Sequence, residues 1–303
     1  MKLDDVHLLL ADGRAHLRST LRMALNEVGI VNIQTAPETA ALAEAVDNPL
    51  PPDIIVCDAG LRGGDAADAV RAIRNSEIGQ NPYVCVVALA WNATEDAVAR
   101  LINAGADHVI AGPVAPQKLI DRIDAMIHRR KPFVVTADYI GPDRRSTPER
   151  DGGVPLVEVP NSLRDKALGT WDPEAARQSI LRTTTELNEH RIEREATALA
   201  ETIDATLGRA PGEIPPARLE RLIHLARSLG RRATASNAPH IAELCGSAGL
   251  VAERLQSGAR ADPKDGEILA HVALALRAAT RAQENAALAH EIAAAIGGRR
   301  KIG

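Results

Sequence analysis

Over its first 130 residues the chain alternates short, unbroken apolar runs with segments whose apolar residues return at helical spacing. Val6 to Ala11 is one such run. Arg14 to Val28 then places Leu17, Leu21, Ala24, Leu25 and Val28 on one helical face, and Gly29 stops the helix. The pattern repeats four times: Asn32 to Thr35 with the alanine-rich Pro37 to Val46, Ile54 to Cys57 with Asp65 to Ile73, Tyr83 to Leu89 with Thr94 to Ala104, and His108 to Ile110 with Pro116 to His128. The proline opening the last helix suits a first helical position. Strands that are apolar throughout and separated by helices need cover on both faces, which a parallel sheet provides. Right-handed crossovers then give an open, doubly wound, five-stranded α/β fold. Ligands and chemistry in such sheets sit just past the carboxyl ends of the strands, so the residues there are the ones that matter for function.

With 303 residues the chain is long enough for a second domain. Several function classes fall on composition. The aromatics are Phe133, Tyr83, Tyr139, Trp91 and Trp171, too few to build stacking platforms for single-stranded nucleic acid. The 36 Lys and Arg against 40 Asp and Glu leave a net charge of −4, which argues against a chain-wide nucleic-acid footprint. Charged residues interrupt every long apolar stretch near the N-terminus, so no membrane span is expected, and Met1-Lys-Leu-Asp-Asp5 is too acidic for a secretory leader. Cys57, Cys85 and Cys245 stand far apart and read as small buried hydrophobes in a reducing compartment. The expected location is the cytoplasm.

Beyond residue 130 the character changes twice. From 131 to 169, Pro132, Pro142, Pro148, Pro155 and Pro160 with Gly141, Gly152 and Gly153 break any long helix, and an extended linker is expected, with apolar anchors at Phe133–Val135 and Leu156–Val159. From 170 to 303 a separate all-α helical bundle is expected. It opens on Asp172-Pro173-Glu174, which combines a cap, a first-position proline and an acid in the first turn. Helices are expected on to Leu207, from Pro216 to Leu229, from Ala238 to Leu255 and from Pro263 to Ile296. Their apolar stripes include Leu219, Leu222, Ile223 and Ala226, and then Ile268, Val272, Ala275, Leu276 and Ala279. The alanines at 286, 287, 289 and 293 to 295 suit close helix contact and hence self-association.

Three acids fall where chemistry is expected. Asp12 follows the first strand, Asp58 the third, and Asp65 lies a few residues on. Carboxylates at the ends of neighbouring strands can share a hard cation such as Mg²⁺, and one of them can then serve as nucleophile toward a phosphoryl group. The plainer alternative, that they cap a helix or shape a turn, stays open on spacing alone. The stretches Ala11-Asp12, Ile54-Ile-Val-Cys-Asp58-Ala-Gly-Leu-Arg-Gly-Gly-Asp65-Ala and Asn103-Ala-Gly-Ala-Asp-His-Val-Ile-Ala-Gly-Pro113 resemble the receiver domain of two-component response regulators over about residues 5 to 130. That resemblance implies a flavodoxin-like receiver over 1–130. It places the phospho-accepting aspartate at Asp58 and the metal ligands at Asp12, Asp58 and the Gly60 carbonyl, with Mg²⁺ as a weakly held cofactor. It also implies a sensor histidine kinase or another signalling protein as partner.

The departures from the family matter as much. Ala11 stands where the family has the first acid of its pair, Ala90 where it has a hydroxyl residue, Val109 where it has a switching aromatic, and Gly112 where it has a lysine. A phosphoryl group on Asp58 would lack the charge-assisted bonds that hold it. Arg14 or Arg62 could substitute in part, although a solvated side chain is the simpler reading of each. The expectation is a degenerate receiver, not an enzyme, with residual or no phosphorylation at Asp58, acting through protein–protein interaction of its helical half. Trp91, just past the fourth strand, reads either as partial core or as an interface residue. Tyr139-Ile-Gly-Pro-Asp-Arg-Arg145 resembles segments that follow receivers in some bacterial regulators. It presents a turn with two arginines, which would either clamp an acidic partner or fix the connector.

His224, with Arg227 three residues on and Ser228 four on, resembles the phospho-histidine segment of phosphotransfer domains. The alternative function is therefore a phosphorelay intermediate using Asp58 and His224. DNA binding through Arg227, Arg231 and Arg232 ranks last, because no convincing recognition helix accompanies them.

Overall fold

The computed structural model describes residues 2–91, 94–145, 156–207, 213–257 and 264–280. Five strands, β1 (His7–Ala11), β2 (Asn32–Ala36), β3 (Ile54–Asp58), β4 (Cys85–Ala90) and β5 (His108–Ala111), form one parallel sheet in the order β2-β1-β3-β4-β5. Helices α1 (Ala15–Glu27), α2 (Thr39–Val46), α3 (Ala66–Arg74), α4 (Glu95–Asn103) and α5 (Pro116–Arg129) alternate with them. This is the flavodoxin-like order, with its switch point between β1 and β3.

Strand side chains alternate between two cores, as a two-residue period requires. Leu8, Leu10, Val56 and Val87 face α1 and α5, packing on Leu21, Leu25, Leu119 and Ile123. Leu9, Ala11, Cys57, Val86 and Ala88 face the other way, onto Leu42, Val70, Ile73 and Leu101. Both layers are buried, which explains why the strands read as unbroken apolar runs.

The segment expected to run as an extended linker from 131 to 169 is folded in its described parts. β6 (Phe133–Val135) and β7 (Ile140–Pro142) form an antiparallel hairpin, and Phe133 bridges in turn to Val157. Both expected anchors contribute buried residues, namely Phe133, Val134, Val135, Val157 and Val159, while Leu156 stays exposed. Helix α6 (Ser162–Leu168), capped by the buried Asn161, sends Leu163 and Ala167 into the α1–α5 core. Proline and glycine broke the helical period here, but short strands pack apolar residues without any such period.

What holds the hairpin is a buried ion cluster at the amino edge of the sheet. Asp107, just before β5, accepts from Arg74 Nη2 at 2.9 Å, Arg130 Nε at 2.8 Å and the Val86 amide at 2.8 Å. The two guanidinium carbons lie 5.2 and 5.1 Å from the Phe133 ring centroid. Burial pushes Asp107 up, but the two arginines outweigh it and hold the carboxyl below its usual range.

The arginines of the Tyr139–Arg145 motif are also committed to the fold. Arg144 donates to the carbonyls of Ala106 and Asp107, and Arg145 pairs with Asp143 at 2.8 Å. Gly105 (φ +94°) and Gly141 meet back to back: a Cβ on Gly141 would lie 2.8 Å from the Gly105 Cα. The motif fixes the connector, and neither arginine is held out for an acidic partner.

Residues divide into two compact units, 1–187 and 188–303, the division falling within α7 (Pro173–Asp204). Composition had drawn the lines at 130 and 169, where proline content changes, whereas packing carries the first unit further. The Asp172 side chain caps the Ala175 amide at 2.8 Å, as the helix-start signal implies. In the second unit the rest of α7, α8 (Pro216–Ala235), α9 (Pro239–Gln256) and a helical stretch over 264–280 carry the apolar stripes. Leu219, Leu222, Ile223 and Ala226 are buried. In the last stretch Leu269, Val272, Ala273 and Leu276 are buried, and Ile268 faces out. Glu195, fully buried on α7, accepts from Arg191 at 3.1 Å, Ser228 at 3.0 Å and Arg232 at 3.4 Å. The part of the last expected helix beyond 280, with the alanines at 286, 287, 289 and 293 to 295, lies outside the described residues.

Removing one member of a buried ion cluster leaves uncompensated charge behind. Asp107→Ala is therefore expected to lower the unfolding free energy by about 3–5 kcal/mol, measured by urea denaturation of the full chain.

Candidate functional site

The parallel register sets Ala11 beside Ala36 on one side and Cys57 on the other, so β1 and β3 end level and deliver Asp12 and Asp58 to the same edge. Asp12 is fully buried and Asp58 nearly so. The two are brought together through Arg14. Its Nη2 lies 2.7 Å from Asp12 Oδ2 and 2.9 Å from Asp58 Oδ2, and its Nε donates to Asp12 Oδ1 at 2.9 Å. The Asp12–Gly13–Arg14 turn produces this locally. Asp12 Oδ1 also accepts the Arg14 backbone amide at 2.8 Å, folding the residue back over the carboxylate as α1 begins.

Two buried carboxylates sharing one guanidinium differ from two exposed ones. Burial is the main reason the Asp58 carboxyl sits above its usual range. The Arg14 charge pulls it down, and the neighbouring Asp12 pushes it up. Arg14 itself is raised, chiefly by its hydrogen bond to Asp12. Behind them the buried Cys57 thiol is pushed up to about 12, first by burial and then by Asp58, so it stays a neutral small hydrophobe.

Asp65 does not join the pair. It caps α3, accepting the Ala67 amide at 2.9 Å, and pairs with Arg100 at 3.3 Å. A cavity of about 610 Å³ opens over the site, lined by Arg14, Asp58, Gly60, Arg62, Trp91 and Arg100 among others. Arg62 reaches the Gly13 carbonyl at 3.4 Å.

The positions that depart from the receiver pattern are built into the walls. Ala11 and Ala90 are buried at the strand ends, Ala90 lining the cavity, and Val109 is half-buried on β5 opposite Ala88. A Cβ on Gly112 would stand 2.7 Å from the Trp91 carbonyl oxygen, so this chain has no room for a longer residue there unless the β4–α4 corner moves. Trp91 packs half-buried against the α1–α5 core, and the Arg14 guanidinium carbon lies 4.9 Å from its ring centroid. Its indole nitrogen is buried without a hydrogen-bond partner. The sequence offers Arg14 as a partial substitute cation but favours a solvated side chain; the structure seats it on both acids, and its stacking on Trp91, nearly eighty residues away, carries no local signal.

The donors do not fit a hard dication while Arg14 is seated. Mg²⁺ asks for near-octahedral oxygen coordination. The site offers two carboxylates already bonded to one guanidinium, with Gly60 at the rim. Among the described residues no cluster of three or more His, Cys, Asp or Glu side chains forms a metal site.

In the second unit His224 is exposed on α8. It lines a cleft of about 640 Å³ with Glu220, Ile223, Arg227, Arg231 and Gln256. Arg227 pairs with Glu253 at 2.7 Å and Arg232 turns to Glu195, so both serve ion pairs. Ser228 likewise points its hydroxyl at Glu195.

Residues 8–124 match the response regulator receiver domain family. "Probable histidine kinase 2" of Oryza sativa subsp. indica is 26% identical over 133 residues, 40% of this chain and 13% of the kinase. The chain thus spans about an eighth of that relative's length. The phosphate regulon transcriptional regulatory protein PhoB of Escherichia coli is 22% identical over 231 residues, 74% of this chain and 96% of PhoB. Among solved structures, the receiver domain of a Pseudomonas aeruginosa PAO1 sensor histidine kinase, with magnesium coordinated in its active-site cleft, aligns at 22% identity and TM-score 0.35, covering 40% of this chain and 94% of that one. A CheY-like receiver from Methanospirillum hungatei JF-1 aligns at 18% identity and TM-score 0.36, covering 39% and 90%. No helix among the described residues is long and apolar enough to cross a membrane.

Because its ionisation is disfavoured in the folded state, Asp58 contributes stability that is complete below the ordinary carboxylate pKa and is lost as pH rises through the raised one. The unfolding free energy of the unmodified chain minus that of Asp58→Asn is therefore expected to fall as pH rises from about 4. Parallel pH profiles for the two proteins would contradict this.

Proposed function

We propose that this chain, whose residues 8–124 are a response regulator receiver domain, is a two-component signalling protein in which the receiver serves recognition more than phosphoryl chemistry. A receiver domain is a signalling domain and not a classical enzyme, and the chain as a whole is read in the same way. The observation that carries the reading is Arg14, which already neutralises part of the Asp12–Asp58 charge and occupies Asp58 Oδ2. With Ala90 and Gly112 in place of a hydroxyl and a lysine, a phosphoryl group on Asp58 would find weak support, and phosphorylation would have little leverage over conformation.

Output then runs through protein–protein contacts of the helical unit. The partners are a sensor histidine kinase or other signalling proteins, the setting is the cytoplasm, and self-association through the helical half belongs to the same reading. Duplex DNA is not the favoured partner, because Arg227 and Arg232 are engaged with Glu253 and Glu195. Mg²⁺ is read as a weak ligand that must displace Arg14.

A second reading has one observation in its favour. His224 is exposed on α8 in a cleft that Arg227 and Arg231 also line, and with Asp58 it would make a phosphorelay intermediate.

The test is incubation with Mg²⁺ and a small acyl phosphate, followed by intact mass and sedimentation. Little mass gain and no change of oligomeric state are expected. An Asp58-dependent gain with a change of assembly, abolished in Asp58→Asn, would overturn the recognition reading. A gain lost in His224→Ala would support the relay.

A further inference from the structure

Arg14 is held on three sides. Its Nε and Nη2 grip both oxygens of Asp12, its Nη2 also reaches Asp58 Oδ2 at 2.9 Å, and its flat face lies against Trp91 with the guanidinium carbon 4.9 Å from the ring centroid. A cation shared by two carboxylates belongs between them, and that place is taken by Nη2. We propose that Arg14 is a tethered cation that competes with divalent metal for the Asp12–Asp58 pair, and that metal entry drives its guanidinium off the Trp91 ring.

Three observations support this. The tether is short: Arg14 is two residues from Asp12, and the Asp12 carboxylate also holds its backbone amide, so the guanidinium is presented at an effective concentration of about millimolar or more. The fork geometry is bidentate on Asp12, which a point charge cannot reproduce. Arg62 also lines the mouth of the cavity and adds positive charge there, while Arg100 beside it is paired with Asp65. A dication must therefore enter past positive charge and break three charge-assisted bonds before it gains two carboxylates.

The exit route is available. Arg14 keeps about a third of its side-chain surface exposed, so it can swing outward without unpacking the core. Leaving the acids also uncovers one face of Trp91, whose other contacts run into the α1–α5 core beside β4. Cation exchange is thereby coupled to the corner where β4 meets α4. The device rests on the geometry of the acidic pocket and not on which partner the helical unit recognises, so the two fail separately.

Trp171→Phe leaves Trp91 as the chain's one indole. In that full-length background Mg²⁺ is titrated, following Trp91 emission and, in parallel, heat. The Arg14 chain is expected to bind weakly, with a change in emission as the guanidinium leaves the ring. Arg14→Gln is expected to bind at least about tenfold more tightly, with little change in emission. Equal affinities, or an Arg14 chain that binds metal with Trp91 emission unmoved, would overturn the proposal. Unfolding provides a second readout. The urea midpoint of Arg14→Gln should rise with Mg²⁺ far more than that of the Arg14 chain, including recovery of helical signal if the variant is unfolded without metal. An Arg14→Gln chain whose unfolding Mg²⁺ does not affect would also overturn it.

Discussion

Two carboxylates delivered to one edge of a parallel sheet cannot both stay charged and buried without a cation between them. The register of β1 against β3 imposes that problem on this chain, because both strands end level and both are followed or closed by an aspartate. The electrostatic character of the Asp12–Asp58 site follows from how the problem is met. Arg14 supplies the cation from within the chain, at the cost of engaging the oxygen that receiver chemistry would need free. Trp91 then covers the guanidinium and Gly112 lets the Trp91 backbone come close, so the departures from the family pattern form one connected wall around the arginine.

The opposite edge of the sheet meets the same physical demand differently. Asp107 lies between Arg74 and Arg130, and all three are buried. One carboxylate against two guanidinia is tolerable there because carbonyls of Pro82, Val84, Gly105 and Pro160 accept further N–H groups, and the Phe133 ring lies against both cations. A buried cluster bonded to several carbonyls is fixed, and it anchors the segment after α5 to the sheet. The Arg14 site is open on one side and has an exit. Structural permanence and exchangeability thus separate along the strands of one sheet.

In the helical unit a third buried cluster, centred on Glu195, joins α7 to α8 through Arg232 and Ser228. Basic residues that looked available for ligands on the sequence serve this internal pairing. His224 stands apart on the exposed face of α8, which is why it carries the second functional reading and Ser228 does not.

The sequence by itself determined the doubly wound five-stranded fold. Strand and helix periods are local, and unbroken apolar strands admit only a sheet covered on both faces, which in turn places Asp12 and Asp58 at its carboxyl edge. It also showed the helical second half and the apolar anchors at 133–135 and 156–159. Tertiary structure alone decided that the Arg14 guanidinium is seated on both acids and the Trp91 ring, that the proline-rich stretch folds as a hairpin and short helix in its described parts, that Arg144 and Arg145 are committed to the fold, and that Leu269 and not Ile268 turns inward. The reason is the same in each case. The energy of a charge depends on desolvation and on partners brought from distant strands, and a close backbone approach such as Gly105 on Gly141 exists only once both segments are in place.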